Sequence, residues 1–279
     1  MREVISINTG RATSDGAGVK LNRIFGGGRD PHQFDPFLML DHFGSDEASD
    51  YIAGFPSHPH RGFETVTYML EGRMLHEDHL GNRGLLENGD VQWMTAARGI
   101  IHSEMPQQIE GRMSGFQLWV NLPAKEKMKD PYYRDIAAKD IPQRDFEEVT
   151  YKIIAGEISV DDEKVKGAVI GLATDPLYVD IHFHAKKSVQ VNIADGHTAL
   201  VYVYEGETQI GGKSISAGQV AVLSRDGQLN LSGDDKTRLI ILAGKPLGEP
   251  IAQYGPFVMN TPQEIDQAIQ DYRDGVLTQ

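Results

Sequence analysis

The segment Tyr68-Met69-Leu70-Glu71-Gly72 returns as Tyr202-Val203-Tyr204-Glu205-Gly206, and Gly89-Asp90-Val91-Gln92-Trp93 returns as Gly218-Gln219-Val220-Ala221-Val222. Each pair reads as strand, glycine turn, strand, so the chain is expected to fold as two degenerate copies of one β unit. The glycine-to-glycine spacing is 17 in the first copy and 12 in the second, which gives the first copy about five extra residues at the His76–Asn82 turn. Short β-branched or aromatic runs between turn signals occupy 65–70, 91–94, 116–122, 178–184, 199–204, 220–223 and 238–242. Together with 30 glycines in 279 residues, they predict an all-β sandwich or barrel.

The stretch 123–144, dense in Lys, Asp and Pro, lacks periodicity and reads as a linker. It places a boundary near residue 140, dividing the chain into 1–140 and 141–279. One helix is expected at the end. Thr261 is its N-cap, Pro262 its first residue and Glu264 the partner in a capping box. Ile265, Ala268, Ile269 and Tyr272 form its apolar stripe for packing on a sheet, and Gly275 stops it.

Four residues carry the strongest chemical signal: His58 and His60, then His102 and Glu104. Residues i and i+2 of a strand share a face, with Cα atoms about 6.6–6.8 Å apart, so each pair can grip one cation from one side. With no cysteine in the chain, any metal is held by nitrogen and oxygen. Three imidazoles and a carboxylate suit iron, manganese, nickel, copper or zinc. The repeat limits this to one site. The same offsets in the second copy fall on Asn192, Ala194, Leu231 and Gly233, none of which is a histidine or a carboxylate.

Other candidates are weaker. Glu64, four residues after His60, competes with Glu104 for the carboxylate position, although Pro59 and Gly62 disturb the strand phase between them. His182-Phe183-His184 has ligand spacing but lies about a strand too early, and reads as a polar strand face. His197 stands alone, and His76 and His79 flank a hairpin turn, where solvated histidines are common. His32 and His42 precede the core strands and could orient a ligand. Arg61, Trp93 and Met94 are candidate pocket neighbours.

A net charge of −13 without a compensating basic stripe argues against direct nucleic-acid binding. No apolar run approaches the length of a membrane span, and the opening MREVISINTG lacks the build of a secretory signal, so a cytoplasmic protein is expected.

The runs Phe34–Phe43, Gly54–Val66, Gln92–Ala96 and Arg98–Pro106, with the ending Tyr254–Thr261, closely resemble the pirin family. The resemblance spans almost the whole chain, and His58-Pro59-His60-Arg61-Gly62-Phe63-Glu64-Thr65-Val66 is its most specific part. It implies a bicupin, two double-stranded β-helix barrels, with iron in the N-terminal barrel and none in the C-terminal one. It implies His58, His60, His102 and Glu104 as the ligands, and places Glu64 behind them. Members of the family fall into two functional classes. Some resemble quercetin 2,3-dioxygenases, which open a flavonol ring with O2 and release carbon monoxide; others look like non-catalytic, iron-dependent coregulators that act through protein partners. For the enzyme, Glu104 is the expected base for the 3-hydroxyl proton, and four protein ligands on a six-coordinate ion leave two positions for substrate and O2.

Overall fold

The computed structural model describes residues 1–27, 31–160 and 163–279. The chain opens with β1 (Val4–Thr9), β2 (Arg11–Asp15), β3 (Val19–Gly26), β4 (Phe37–Ser45), β5 (Phe55–His60) and β6 (Phe63–Glu71). Next come β7 (Met74–Asp78), β8 (Arg83–Leu86), β9 (Val91–Thr95), β10 (Ile100–Pro106), β11 (Met113–Asn121) and β12 (Tyr132–Ile136). The second half holds β13 (Gln143–Asp145), β14 (Val149–Ala155), β15 (Glu157–Val160), β16 (Glu163–Lys166), β17 (Leu177–Phe183) and β18 (Lys187–Val191). It continues through β19 (Thr198–Glu205), β20 (Glu207–Ile210), β21 (Lys213–Ser216), β22 (Gln219–Leu223), β23 (Leu229–Gly233) and β24 (Arg238–Gly244). A hairpin of β25 (Ala252–Tyr254) and β26 (Phe257–Met259) leads into α1 (Pro262–Arg273).

The duplication read from the glycine turns is present strand for strand. One seven-stranded sheet runs β12-β9-β6-β11-β4-β3-β2 and the other β1-β22-β19-β24-β17-β14-β13; the four-stranded sheets run β5-β10-β7-β8 and β18-β23-β20-β21. Each large sheet and its small partner make one cupin unit, and all seven strand runs expected from the sequence fall within these sheets.

The two compact units do not follow a single cut near 140. One comprises Met1–Gly10 with Lys139–Pro246, the other Arg11–Ala138 with Leu247–Gln279. The units switch between Ala138 and Lys139, and both terminal segments join the unit from the opposite half. At the N-terminus β1 pairs with β22, and the Arg2 guanidinium donates to Ala194 O at 2.7 Å, Gly227 O at 3.0 Å and His197 O at 3.1 Å. At the C-terminus Ile265 and Ala268 of α1 pack with Phe257, Met259 and Leu277, and the Thr261–Glu264 capping box forms with both of its bonds. The expected linker is structured too. Tyr132–Ile136 forms β12, the edge strand beside β9, so a run rich in Lys, Asp and Pro reads as an exposed edge.

The two units differ in what fills them. In the 139–246 unit the inward faces carry Val179, Ile181 and Phe183, Val201 and Val203, Leu229 and Leu231, and Leu239 and Ile241 in one apolar core. Ladder register identifies the residues that replace the ligands. The hairpin ladders pair Met74 with Leu86 and Thr208 with Ile215, and Leu86 and Ile215 each stand three residues before the matched glycine, so Thr208 is the counterpart of Met74. Met74 lies opposite Pro106 and Thr208 opposite Gly233, which makes Leu231 the counterpart of Glu104 and Leu229 that of His102. His58 lies opposite His102, and Val191 opposite Leu229. Counting offsets from the glycines selects Asn192 and Ala194; the ladder selects Val191 and Ile193, one residue earlier, because the loops between strands differ in length. Leu229 and Leu231, both in the apolar core, thus fill the places of His102 and Glu104.

Leu231→Ala is therefore expected to lower the unfolding free energy by about 2–5 kcal/mol, the range for a truncated buried leucine, without changing metal content. Urea unfolding combined with metal analysis checks both halves of this expectation.

Candidate metal centre

Alternation puts His58 and His60 on one face of β5, and β10 sets His102 directly opposite His58. The chain turns sharply after His60. Gly62 has φ +94°, and a Cβ there would collide with Val258 O, so only glycine fits. Lys127, 1% exposed, locks this turn by donating from Nζ to Gly62 O at 2.7 Å, Asn121 Oδ1 at 2.6 Å and Val258 O at 3.0 Å.

Ligand nitrogens of His58, His60 and His102 all lie within 4.8 Å of one another. His58 Nδ1 donates to Pro56 O at 2.8 Å, which leaves Nε2 with a bare lone pair, and that nitrogen is 3.0 Å from His60 Nε2. His60 and His102 are held well below the ordinary imidazole range, chiefly by burial and further by the neighbouring rings. Both are thus neutral at pH 7, the form a metal requires. His102 Nε2 is buried and has no hydrogen-bond partner among the described residues. Unpaired nitrogen lone pairs gathered in this way fit a divalent transition ion, and these three residues could hold one.

Glu104 reaches the same cavity by a different route. The β5–β10 register shifts between His102 and Glu104, which re-aims the side chain as bulges beside active sites do. Its carboxylate accepts from Thr67 Oγ1 at 3.0 Å and from Gln117 Nε2 at 3.2 and 3.1 Å. Glu104 lines the cavity with His58 and His60 but stands outside the group of three converging ligands.

Glu64 is turned elsewhere. It lies an odd number of residues from Thr67 and so on the other face of β6; it is 2% exposed and bonded to Thr95 Oγ1 at 2.6 Å. Burial raises its pKa. The turn at Arg61-Gly62 breaks the phase that would have aligned it with His60. Arg61 is no pocket residue either: its guanidinium pairs with Asp271 at 2.6 Å and donates to Leu277 O and Arg98 O. Met94 sits in a buried cluster with Ala96 and Ile100, and Trp93 is buried away from the cavity lining.

The remaining histidines separate clearly. His182 is bonded to Asp180 Oδ2 and Tyr204 Oη, both at 2.8 Å, and His184 to Thr150 Oγ1 at 3.0 Å, each in the 139–246 unit. His197, in the same unit, lies 3.9 Å from Asp175. His42 stacks on Phe116 and contacts Ser114 Oγ at 3.3 Å, His32 is exposed in the turn before β4, and His79 Nδ1 accepts from Ile101 N at 3.2 Å. His76 departs most from expectation: it is fully buried and its Nδ1 is 3.2 Å from His102 Nδ1.

The cavity beside the rings has a volume of about 960 Å³, near the upper end for small-molecule sites. Leu21, Met39, Phe43, Phe55 and Trp119 give it an apolar wall, and the Trp119 ring stands edge-on to His60 at 5.4 Å. Sequence reasoning missed Met39, Gln117 and Trp119. Alternation along β4 and β11 carries the signal, once a single residue on each strand is known to face inward.

The family model described as Pirin matches residues 18–120, and that of the Pirin C-terminal cupin domain matches residues 178–278. A Pseudomonas aeruginosa protein named "Putative quercetin 2,3-dioxygenase" is 55% identical over 280 residues, covering 99% of this chain and 98% of its own. A pirin-like protein of Caulobacter vibrioides is 46% identical over 277 residues, covering 99% of each chain. Among solved structures, a quercetin 2,3-dioxygenase from Acinetobacter baumannii matches with a TM-score of 0.90 at 35% identity, covering 99% of this chain and 98% of that one.

His102→Ala is expected to remove most bound metal, a loss of more than about 10–100-fold in affinity, since even residues that merely orient a ligand are worth that much. His184→Ala is expected to leave metal content unchanged; elemental analysis of both variants decides between one site and two. A separate expectation concerns acid stability. Burial, helped by Arg112, pushes His42 down from 6.5 to about 4, so the unfolded chain takes up this proton at a higher pH than the folded protein. Its contribution to stability is complete above pH 6.5 and is lost as pH falls toward about 4. Urea titrations across that window should show a shallower slope for His42→Gln.

Proposed function

Since the chain belongs to the pirin family, we propose that its metal centre is that of a dioxygenase which opens a flavonol-like ring with O2, using one iron(II) ion held by His58, His60, His102 and Glu104. The observation that carries this reading is the common opening of His58, His60 and Glu104 onto one apolar-walled cavity of about 960 Å³. A sensor that only bound its ion and docked on a protein would have no need of that space. The names of the relatives point the same way.

When bound, a divalent transition metal supplies Lewis acidity and a redox-active centre. The chain's own residues do the rest. Phe43, Phe55 and Trp119 receive a flat aromatic substrate and keep water from its reacting edge. Glu104 takes the proton of the 3-hydroxyl, giving an electron-rich enolate that reacts with O2. Gln117 and Thr67 hold the carboxylate in place for that transfer. Arg23 at the cavity wall is already committed, with Nε and Nη2 each 2.8 Å from the Asp41 carboxylate and Nη2 3.0 Å from Asp15, so no anionic group of the substrate is needed to balance it. The proposed substrate is accordingly a neutral polyphenol or enol, and the proposed setting is the cytoplasm.

Iron-loaded protein given quercetin should consume one O2 and release one carbon monoxide per flavonol, and Glu104→Gln should lower kcat by about 10²–10⁴-fold. An oxygen electrode, run over a panel of enolic and phenolic compounds, makes the measurement. A metal-loaded protein that consumes neither flavonol nor O2 sinks the reading.

A further inference from the structure

His102 has two ring nitrogens, and only one of them can face an ion. Its Nε2 is the unpartnered atom in the ligand cluster; its Nδ1 is 3.2 Å from His76 Nδ1. The other nitrogen of His76, Nε2, is 3.4 Å from Asp78 Oδ2. We propose that His76 and Asp78 are positioning residues that set the tautomer of His102 and thereby fix Nε2 as its metal donor, an inference that rests on the metal centre proposed above.

The reasoning closes from both ends. At one end Asp78 is a carboxylate and can only accept, so the proton of a neutral His76 sits on Nε2 and His76 Nδ1 is bare. A bare His76 Nδ1 accepts, so His102 carries its proton on Nδ1 and Nε2 is free. At the other end, an ion bound to His102 Nε2 requires a bare lone pair there, which puts the proton on Nδ1 and runs the same chain in reverse. Both directions give one arrangement, Asp78···H–Nε2 His76 Nδ1···H–Nδ1 His102.

The chain is also held rigidly. Asp78 Oδ1 accepts from Leu80 N at 2.9 Å and Asn82 N at 3.0 Å, while Asn82 Nδ2 donates to Oδ2 at 2.8 Å. The five extra residues of the first copy fall at this turn, so the insertion builds the socket for Asp78. Tyr133 stacks on the His76 ring with centroids 4.7 Å apart and planes 29° apart. Tyr133 is fixed in turn by donating to Asp135 Oδ2 at 2.5 Å and accepting from Gln92 Nε2 at 3.2 Å. The second copy supplies an internal control. Where Leu229 replaces His102, Ile210 replaces His76, and the shorter hairpin turns at Gly211-Gly212 before any counterpart of Asp78, so all three positions of the chain are lost together.

Asp78→Asn is the discriminating variant because it is nearly isosteric. Its amide can donate to His76 Nε2, which would reverse the chain and place a proton on His102 Nε2. His76→Phe removes the acceptor outright, and His76→Gln can restore one through its carbonyl. Nickel(II) affinity by competition titration should fall about 10–100-fold for Asp78→Asn and His76→Phe and recover in part for His76→Gln. The melting temperature of each metal-free variant verifies its fold. Long-range proton–nitrogen NMR of the metal-free wild type should find His102 protonated on Nδ1 and His76 on Nε2. Wild-type affinity in folded Asp78→Asn, or a proton on Nε2 of wild-type His102, overturns the proposal. Failure of the wild type to bind any metal would instead refute the metal centre, so the two failures are distinct. Should His76→Phe not fold, the Asn variant and the wild-type spectrum still decide.

Discussion

Three neutral imidazoles packed with their lone pairs toward one another form an arrangement that repels itself unless a cation shares it, and much of the first unit is organised to hold it. His58 and His60 come from one strand and His102 from its neighbour, so the ladder sets the separation of the rings before any side chain chooses a rotamer. The backbone that follows His60 is pinned by the buried Lys127 ammonium and by Arg61, which reaches Asp271 of α1. The C-terminal helix, remote in sequence, thus clamps the end of the ligand strand. The return of the C-terminal segment to the first unit has a structural purpose in this, since without it the Arg61 guanidinium would lose Asp271 and Leu277 O, and the Lys127 ammonium would lose Val258 O, at a cost of about 1–3 kcal/mol for each unsatisfied buried group.

The second unit shows what the same ladder does when freed from that task. Its interior positions are filled by valine, leucine and isoleucine, each contributing about 1.5–3 kcal/mol through burial, whereas the first unit spends its equivalent positions on polar groups that stabilise only when satisfied. Val191, Ile193 and Leu229 in place of the three imidazoles, and Leu231 in place of Glu104, fill the positions that a site would need. The copy without ligands has a filled core, and the copy with ligands has a cavity. Loss of chemistry and gain of packing are one substitution pattern.

Much of this was legible in the sequence, for identifiable reasons. Strand runs, the capping box at Thr261 and the two ligand pairs depend on short-range periodicity, which survives in a single chain. Features that depend on register did not. The offset count missed Val191 and Ile193 by one residue, and Leu229 and Leu231 by two, because loop lengths, unlike strands, have no period. His76 read as a solvated turn residue because a hairpin five residues longer looks like a surface excursion, whereas its first strand is buried against β10. Residues 132–136 read as linker because an edge strand needs few apolar residues. Glu64 was a competitor only as long as the strand was imagined straight through Gly62, where the positive φ turns it.

Charge balance links the proposed ligand set to the chain behind it. His58, His60 and His102 bring no charge when neutral, Glu104 brings one negative charge, and Arg23 and the buried Asp41 cancel each other at the cavity wall, where Asp15, half exposed, is screened by solvent. A divalent ion held by these groups alone would leave one positive charge uncompensated in a buried place, which is costly. Asp78 supplies the missing charge. It lies beyond His76, close enough to act through two imidazoles and far enough not to compete for the ion or the substrate. The hairpin that distinguishes the first copy from the second therefore holds both the tautomer and the counter-charge of the site.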